Sequence, residues 1–356
     1  MPSERKVVLI TGATGGIGAA TAIAFAKTGQ YELALHYNNA SQEKRDTLRS
    51  TIEAAAPTFD PRTGTPIPSK PRLEFYQADM SDFASVRALH AAVTQTFPHI
   101  DVLFNNAGSA LGHQGVISLA SVPIDVFEST WRVNTGSAIL LTQLCLPAME
   151  AQGWGRVVFD SSVAALTGGS VGPHYASSKS GLHGFVHWLA GNVAGKGITV
   201  NAVAPALVTG TGMMGEEGGE VARRMAGRIP VGRTGRPEEI ADTVLWMVNT
   251  AYVTNKIITV DVPSFGGAGA DRGGWSEPCP VIHAHSLRHC ASTGRIITAK
   301  VTAVWGWHAE QYGRVRATKQ LAQLLPIWAN VRSGLDFDRV ANIDRIYAEI
   351  DEDMEY

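Results

Sequence analysis

Short apolar runs, rich in β-branched residues, alternate with longer segments of helical periodicity from residue 6 to about residue 260. Such runs predict buried strands, and the longer segments predict helices that pack on them. A regular strand–helix alternation predicts a mostly parallel sheet covered by helices on both faces. We therefore expect a doubly wound, Rossmann-like α/β domain with seven strands. The predicted strands are 6–11, 32–37, 73–78, 101–105, 156–160, 198–203 and 256–260.

Capping residues predict where the helices begin. Ser41 and Ser81 are suited to cap two of them, because a serine hydroxyl accepts from the free N–H groups of the first turn. Pro237, followed by two acidic residues, is typical of a first helical turn. The turn signal Asn134-Thr135-Gly136 predicts the start of another helix. The predicted helices are 16–28, 41–56, 81–97, 134–151, 175–194 and one that begins at Pro237.

The alternation ends at about Pro263, where Gly, His, Trp and Cys become frequent and the periodicity is lost. We predict a catalytic domain over residues 1–262 and an extension over residues 263–356, irregular at first and then helical. The extension is compatible with an added interaction surface, with disturbed assembly or with an artefact of the gene model. Its Cys and His residues between 279 and 290 match no familiar zinc spacing, so we predict no metal site.

The composition is that of a globular protein, with 45% apolar and 17% charged residues. A net charge of −2 and the lack of a Lys/Arg run argue against a nucleic-acid partner. The uncharged stretch 8–26 contains turn residues between two apolar patches, so we predict a strand, a turn and a helix and no membrane span. The N-terminus lacks the apolar segment of a signal peptide, and three cysteines fit a reducing compartment, so we expect a cytoplasmic location.

A glycine-rich turn, residues 11–18, lies between the first predicted strand and the first predicted helix. Glycines let the backbone approach a pyrophosphate, and the N-terminus of the next helix offers N–H groups and the positive end of its dipole. This context makes the pattern far more specific than glycines alone, so we predict a dinucleotide site. The turn residues assigned to it are Gly12, Thr14, Gly15, Gly16, Ile17 and Gly18.

The second predicted strand ends with His36-Tyr37-Asn38-Asn39 and carries no acid. An acid at this point would hydrogen-bond the ribose 2′-hydroxyl of NAD and repel a 2′-phosphate. Asn38, Asn39 and Ser41 can instead bond a phosphate, although no Arg or Lys lies in this stretch. We therefore expect NADP as the cofactor, with NAD as the alternative, and place Tyr37, Asn38 and Asn39 in its site.

Tyr175 and Lys179 are one helical turn apart, so their side chains share a helix face. A nearby ammonium favours a phenolate, so the spacing predicts a lowered pKa for Tyr175 and a role as general acid or base. Ser162 follows the strand that ends at Asp160, where its hydroxyl can bind the reacting oxygen. The three residues predict proton transfer at an oxygen while a hydride moves at the neighbouring carbon.

These motifs, in this order, make the chain similar to the short-chain dehydrogenase/reductase family, close to its 3-oxoacyl-[acyl-carrier-protein] reductase-like branch. The resemblance covers residues 6 to about 261. It is highly specific to the family and poorly specific to a substrate. The matching segments are the glycine turn, Ala78-Asp79-Met80, Asn105-Asn106-Ala107-Gly108, Asn134, Ser162, the run from Tyr175 to Lys179, and the run from Gly232 to Ile240.

The resemblance implies the chemical role of four residues. Tyr175 would be the general acid/base, and Ser162 would polarise the carbonyl. Lys179 would also hold the nicotinamide ribose, and Asn134 would anchor a water relay to it. The family commonly pairs helices between subunits, which implies a homodimer or homotetramer.

The resemblance also implies further cofactor contacts. Asp79 would bind the adenine amino group, with Met80 beside it. The remaining residues assigned to the cofactor site are Asn106, Ala107, Gly108, Pro205 and Val208.

The chain departs from the family pattern after the sixth predicted strand, as well as in the extension. The family has Pro-Gly and then a Thr that contacts the cofactor carboxamide. Here Ala206 follows Pro205, and Gly210 stands in the Thr place, with Thr209 and Thr211 as substitutes. Ala adopts a positive φ less readily than Gly, which puts the hold on that end of the cofactor in question.

A glycine-containing loop, residues 205–228, is expected to form a mobile lid over a small carbonyl or alcohol substrate. The leading hypothesis is NADPH-dependent reduction of a ketone, with a 3-oxoacyl thioester as one candidate. Two alternatives stay open: an alcohol or sugar dehydrogenase of the same family, and a catalytically weak nucleotide-binding regulatory protein. The residues predicted to shape the substrate pocket are Ser162, Leu166, His174, Leu207 and Met213.

Overall fold

Seven strands form one sheet in a computed structural model that describes residues 5–59, 63–67, 69–116, 118–214, 219–227 and 229–262. Each neighbouring pair of strands is parallel. The predicted extension 263–356, with its Cys and His residues, lies outside the described residues, so its boundary stays a prediction. The strands are β1 (Lys6–Ile10), β2 (Tyr31–Tyr37), β3 (Leu73–Gln77), β4 (Val102–Asn105), β5 (Gly155–Asp160), β6 (Ile198–Pro205) and β7 (Lys256–Val260).

The strand order is β3-β2-β1-β4-β5-β6-β7. The chain adds β2 and β3 on one side of β1 and then returns to place β4 on the other side. In open α/β sheets, ligands bind beyond the carboxyl ends of the strands at the point where the order reverses. The predicted seven-stranded, doubly wound fold is confirmed. Its strand order predicts a ligand site at the loops that follow β1 and β4.

Helices cover both faces of the sheet. None of them, within the part of the chain that is described, is long and apolar enough to cross a membrane. The helices are α1 (Gly16–Lys27), α2 (Gln42–Ala55), α3 (Phe83–Thr96), α4 (Ile124–Trp131), α5 (Ser137–Gln152), α6 (Ala164–Thr167), α7 (Pro173–Val193), α8 (Glu220–Ala226) and α9 (Pro237–Asn249).

The alternation of side chains along the strands divides the core into two layers. Val7 and Leu9 of β1 belong to the layer that contains residues of α3, α5 and α7. Val8 and Ile10 belong to the layer that contains residues of α1, α2 and α9. All four side chains are buried, as expected for a parallel sheet covered on both faces.

One of the two predicted serine caps is wrong. The Ser41 hydroxyl does accept from the N–H of Lys44 at the start of α2, at 3.2 Å. At α3, however, the carboxylate of Asp82 accepts from the N–H groups of Ala84 and Ser85. Ser81 instead donates its hydroxyl to Asp79. A carboxylate is the stronger acceptor and is favoured by the helix dipole, so Asp82 replaces the predicted cap.

The predicted start of a helix at Asn134 is also wrong. The helical chain already begins at Ile124 in α4 and continues into α5 through one π-helical turn, Arg132–Gly136. A π turn inserts an extra residue into a helix and is frequent at functional sites. Asn134 is buried in the middle of this turn. The Asn-Thr-Gly signal therefore marks a distortion within a helix and not its beginning.

Candidate active site

The glycine turn is held in place by the end of β4. Asn106 donates its side-chain amide to the carbonyls of Thr11 and Gly12, at 2.7 and 3.2 Å. The N–H groups of Asn106 and Ala107 both donate to the Thr11 hydroxyl, at 2.9 Å each. Gly12 has a φ of +65°, which favours glycine. Asn106 thus fixes the conformation of the glycine turn. The contact with the cofactor that is expected of Asn106 stays a prediction.

No side chain caps α1 among the described residues, because its N-cap residue is Gly15. The first turn therefore offers N–H groups and the positive end of the helix dipole to an anion. A Cβ on Gly18 would collide with the carbonyl oxygen of Gly12. The glycines accordingly give the turn the compact backbone that a pyrophosphate requires. Thr14, Gly15, Gly16 and Ile17 are partly or fully exposed along it.

Sequence reasoning missed His36, which joins the glycine turn to the third strand. The N–H of Gly12 donates to His36 Nδ1 at 3.0 Å, and His36 Nε2 lies 3.1 Å from the carbonyl oxygen of Ala78. These partners assign the proton to Nε2. Burial lowers the pKa of His36, so the ring is held in this neutral form. A polar residue within the apolar run from Leu33 to Leu35 and its continuation was the available signal.

The adenosine end of the site collects Tyr37, Asn38, Asn39 and Asp79 at the carboxyl ends of β2 and β3. Asp79 accepts from the N–H and the hydroxyl of Ser81, and these bonds lower its pKa, so the side chain is a carboxylate. Asn38 and Asn39 are exposed. Met80 is buried behind Asp79, so any cofactor contact from it is limited to a small part of its surface.

A second residue missed from the sequence, Arg45 of α2, folds back over this end of the site. Its guanidinium lies 4.4 Å from the ring centroid of Tyr37. It also donates to the carbonyl of Ala40 at 2.8 Å. Arg45 lies outside the stretch 36–41 in which a cation was sought. Arg45 lies four residues after the cap Ser41, and this spacing places its side chain near the start of the helix. The spacing is the sequence signal from which Arg45 could have been predicted.

The backbone of the loop after β6 shows how the chain accommodates its departure from the family sequence pattern. Ala206 is not among the described residues with positive φ, whereas Gly210 has a φ of +72°. The positive φ falls on Gly210 and not on Ala206, so Ala206 does not adopt the conformation that favours glycine. Thr209 is buried and bonds Thr234 at 3.1 Å, so it cannot replace the missing Thr. Thr211, whose hydroxyl donates to Val208, remains partly exposed.

Ser162, Tyr175 and Lys179 come together at the carboxyl end of β5. The Ser162 hydroxyl lies close enough to the Tyr175 hydroxyl to influence its pKa. Lys179 Nζ lies over the Tyr175 ring, 5.9 Å from its centroid, and donates to the backbone carbonyl of Asp160. Tyr175 and Lys179 are both buried. The predicted proximity of the tyrosine and the lysine is therefore found in the structure.

The predicted electrostatic effect of Lys179 on Tyr175 is not found. Burial raises the pKa of Tyr175, the carboxylate of Asp160 raises it further, and the bond with Ser162 acts in the opposite direction. Burial also lowers the pKa of Lys179, against the effect of Asp160. Burial dominates because desolvation of an enclosed group exceeds the effect of one partner charge. In this state Tyr175 is a phenol and hence a proton donor.

Asn134 lies close to Lys179, and both side chains border Gly108. Its side chain accepts from the N–H of Ser109 at 2.8 Å and donates to the Ser178 hydroxyl at 2.9 Å. A Cβ on Gly108 would lie 3.1 Å from Lys179 Nζ and 3.3 Å from Asn134 Oδ1. Because Gly108 has no side chain, it leaves room for the ammonium group of Lys179. Asn134 is neither a helix cap nor a surface turn residue.

The predicted substrate pocket is only partly supported. Leu166 and Met213 are exposed, and Leu207 and Ser162 are partly exposed, as pocket walls should be. His174 is completely buried and packs edge-on against His113 and Phe127. The placement of His174 in the pocket is therefore wrong, because a fully enclosed ring offers no surface to a substrate.

The remaining predicted cofactor residues lie on the loop after β6. Pro205 ends β6, and its carbonyl accepts from the N–H of Val163 at 3.0 Å. Val208 is buried and bridges to Gly235. These bonds connect the loop to the segment after β5 that carries Ser162 and to the segment before α9.

A doubly wound sheet with a phosphate turn after β1 and a Ser/Tyr/Lys group after β5 defines a dinucleotide-dependent oxidoreductase. A family model for the short chain dehydrogenases matches residues 6–221. The chain belongs to this family. It is an NAD(P)-dependent oxidoreductase that interconverts ketones and secondary alcohols.

Several relatives resemble the chain over nearly their whole length. The 3-oxoacyl-[acyl-carrier-protein] reductase of Thermotoga maritima is 34% identical over 268 residues, 73% of this chain and 98% of the relative. An L-rhamnose 1-dehydrogenase (NAD(P)(+)) of Sphingomonas sp. is 30% identical, covering 72% and 95%. The crystal structure of levodione reductase is similar with a TM-score of 0.62 and 28% identity, over 72% of this chain and 96% of that one.

Proposed function

We propose that the chain reduces a ketone to a secondary alcohol with NADPH, and that Tyr175 donates the proton. The proximity of the Ser162 and Tyr175 hydroxyl groups carries the proposal, because a carbonyl oxygen placed beside them can accept a hydrogen bond from both. Ser162 polarises the carbonyl, and Tyr175 gives its proton to the oxygen as the bond order falls. The bound cofactor supplies the hydride that is added to the carbonyl carbon.

Lys179 and Asn134 support this proton transfer. The ammonium of Lys179 stabilises the phenolate that Tyr175 becomes after it has donated its proton. Asn134 and Lys179 both border the space above Gly108. A water in that space would connect the two side chains and return a proton to Tyr175.

The residues of the cleft fit a dinucleotide. The glycines keep the backbone of the turn compact, no side chain caps the N-terminus of α1 among the described residues, and Gly108 leaves room beside Lys179. In our proposal Asp79 accepts from the adenine amino group. Backbone groups of the turn bind the pyrophosphate.

NADP is the proposed cofactor. The stretch 36–41 carries no acid that would repel a 2′-phosphate. The guanidinium of Arg45, stacked on Tyr37 beside Asn38 and Asn39, supplies a positive charge at the same place. Arginine matches phosphate geometry with two parallel donors, so it favours NADP over NAD.

The substrate class is proposed from similarity. The Thermotoga maritima reductase is named for 3-oxoacyl-[acyl-carrier-protein] substrates, and the Sphingomonas enzyme for L-rhamnose. We propose a ketone of the first kind, a 3-oxoacyl thioester, since the exposed Leu166 and Met213 offer apolar surface near the site. A sugar or alcohol dehydrogenase is the second candidate. A homodimer or homotetramer is proposed as the assembly.

The test is cofactor oxidation in the presence of an acetoacetyl thioester, small diketones or sugar lactones, with NADPH and NADH compared. We expect turnover with at least one ketone and a preference for NADPH. Turnover of L-rhamnose or another alcohol alone, with NAD as the better cofactor, would favour the second candidate. Tight NADPH binding without turnover of any carbonyl would contradict the proposal.

A further inference from the structure

His174 is a buried imidazole that the proposed mechanism does not use. It directly precedes Tyr175 in the first turn of α7 and is fully enclosed. Its Nε2 lies 3.4 Å from the carbonyl oxygen of Ala110, and because a carbonyl can only accept, Nε2 carries a proton and donates it. Its Nδ1 is buried and has no hydrogen-bond partner among the described residues. A buried nitrogen without a partner costs stability, so packing alone does not explain a histidine at this position.

Gly172 makes room for the imidazole ring of His174. Its φ is +154°, a conformation that side chains rarely adopt. A Cβ on Gly172 would lie 2.8 Å from His174 Cε1 and 3.0 Å from His174 Nδ1. The ring also packs edge-on against His113 and Phe127, with centroid distances of 5.9 and 6.2 Å. These contacts surround the ring and fix its orientation toward Ala110.

The carbonyl of Ala110 is the point at which His174 holds the loop after β4. The same carbonyl accepts from the N–H of His113 at 3.0 Å, so it has two donors. The N–H of Val116 donates to the carbonyl of Val171 at 3.2 Å, which is a second connection between the same two segments. The loop after β4 is thereby fastened to the segment that leads into α7.

The residue before Ala110 connects this loop to Asn134. The N–H of Ser109 donates to Asn134 Oδ1 at 2.8 Å, and the carbonyl of Ser109 accepts from Asn134 Nδ2 at 3.0 Å. Ala110 and Tyr175 belong to one buried apolar cluster. A displacement of Ala110 would therefore reach both Asn134 and the surroundings of Tyr175.

Ser178 completes a closed circuit of bonds. Asn134 donates to the Ser178 hydroxyl at 2.9 Å, and that hydroxyl donates to the backbone carbonyl of Tyr175 at 2.8 Å. Each link of the circuit is a hydrogen bond or a peptide bond. The circuit passes through Asn134, Ser109, Ala110, His174, Tyr175 and Ser178.

We propose that His174 is a positioning residue, which holds the Ala110 carbonyl and so keeps the loop after β4 and Asn134 in place relative to Tyr175. This inference rests on the proposed proton transfer by Tyr175. His174 contacts neither substrate nor cofactor, because its ring is enclosed. It gives up no proton in the reaction and acts only through the geometry of the circuit.

The test compares two substitutions of His174 that differ in one donor. His174→Leu removes both ring nitrogens, and the Ala110 carbonyl keeps the N–H of His113 as its donor. Since the unpaired nitrogen is lost together with a long hydrogen bond, the unfolding temperature should change little. His174→Gln keeps an N–H group that can reach the Ala110 carbonyl.

We expect kcat for ketone reduction to fall roughly tenfold in His174→Leu, because small displacements of reacting groups are costly in rate. The KM for the ketone and the Kd for NADPH, measured by fluorescence titration, should both stay within about threefold. In His174→Gln, kcat should recover to within about threefold of the unmodified enzyme. An undiminished kcat in His174→Leu, or equal losses in the two variants, overturns the proposal.

A third measurement does not depend on either variant. The Nε2 proton of His174 is buried and bonded, so it should exchange slowly with solvent in an NMR spectrum of the unmodified enzyme. Fast exchange of this proton overturns the proposal even if neither variant folds.

His113 provides the matched control. Its ring packs against His174, but it reaches the Ala110 carbonyl only through its backbone N–H. His113→Leu should therefore leave kcat unchanged, and a loss equal to that of His174→Leu would overturn the proposal, since packing of the loop would then be the cause.

Tyr175→Phe separates the inference from the function on which it rests. Loss of turnover in Tyr175→Phe together with full activity in His174→Leu refutes the role of His174 alone. Undiminished turnover in Tyr175→Phe refutes the proposed proton transfer and, with it, this inference.

Discussion

Tyr175 shows how burial and partner charges compete at a single residue. Its phenol is enclosed, so the pKa is raised although Lys179 lies over the ring. The sequence spacing correctly predicts that the two side chains share a helix face. It does not predict that the lysine donates to the carbonyl of Asp160, since that contact depends on how α7 packs against β5. Spacing along a helix predicts neighbours but not the degree of desolvation that determines their ionisation.

Arg45 illustrates a site residue that a local reading of the sequence overlooks. It lies on α2, outside the stretch 36–41, and reaches Tyr37 only because the helix begins immediately after the strand. We expect Arg45→Gln to weaken NADPH binding roughly tenfold, since a charge-assisted bond to a phosphate is worth about 1.5–3 kcal/mol. NADH binding should change little. Fluorescence titration with each cofactor measures both.

Arg49 provides the control for Arg45. It lies one turn further along α2, stacks on Phe75 and donates to the carbonyl of Leu73. Arg49→Gln removes the same charge, and we expect it to affect NADPH and NADH equally. If Arg45→Gln weakened both cofactors to the same extent, Arg45 would be a structural residue and the basis for NADP selectivity would lie elsewhere.

At the scale of elements, helix termini and distortions decide the site geometry. The π turn Arg132–Gly136 brings Asn134 to Ser109 and Ser178, where an undistorted helix would have rotated it away. Apolar periodicity does not reveal such a turn, because one inserted residue shifts the pattern and mimics a helix start. The predicted helix at 134–151 was therefore placed correctly at its end and wrongly at its beginning.

The start of α9 is connected to the loop after β6. Glu239 accepts from the N–H of Arg236 at 2.8 Å and from the guanidinium of Arg233 at 2.9 and 2.6 Å. The bonds with Arg233 and Arg236 lower the pKa of Glu239 to about 2. Because Gly235 in this segment bridges to Val208, the ion pair also fixes the loop after β6.

We expect Glu239→Gln to destabilise the fold by about 1 kcal/mol at neutral pH, a value reduced by the solvent exposure of the pair. A lowered pKa means that the contribution is present above the unfolded value of 4.5 and is lost as the pH falls toward 2. The difference in thermal unfolding between the variant and the unmodified chain should therefore shrink below pH 4.5.

Glu238→Gln is the control, since Glu238 lies in the same first turn of α9 and is exposed. It should lower the unfolding temperature less than Glu239→Gln does. Equal effects of the two substitutions, or a difference that does not depend on pH, would show that the helix dipole and not the Arg233 pair gives the stabilisation.

At the scale of the whole molecule, the alternation of strands and helices was sufficient to predict seven strands and a doubly wound sheet. Crossover connections between parallel strands leave few topologies open, and the structure gives the strand order that the alternation alone did not specify. The glycine turn after β1 and the Ser/Tyr/Lys group after β5 both lie at the carboxyl edge of this parallel sheet. The pairings that span the molecule, such as His36 with Gly12 and Ala78, could not be predicted, because they join segments distant along the chain.

The measurement that tests the account most directly is a comparison of the unmodified enzyme with Tyr175→Phe in NADPH binding and in carbonyl reduction. The substitution removes one hydroxyl from a buried site and leaves the glycine turn intact. We expect NADPH affinity to stay within about threefold and kcat to fall by at least about 100-fold, as is typical for loss of a general acid. A variant that binds NADPH and reduces ketones at an undiminished rate would contradict the assignment of Tyr175 as the proton donor.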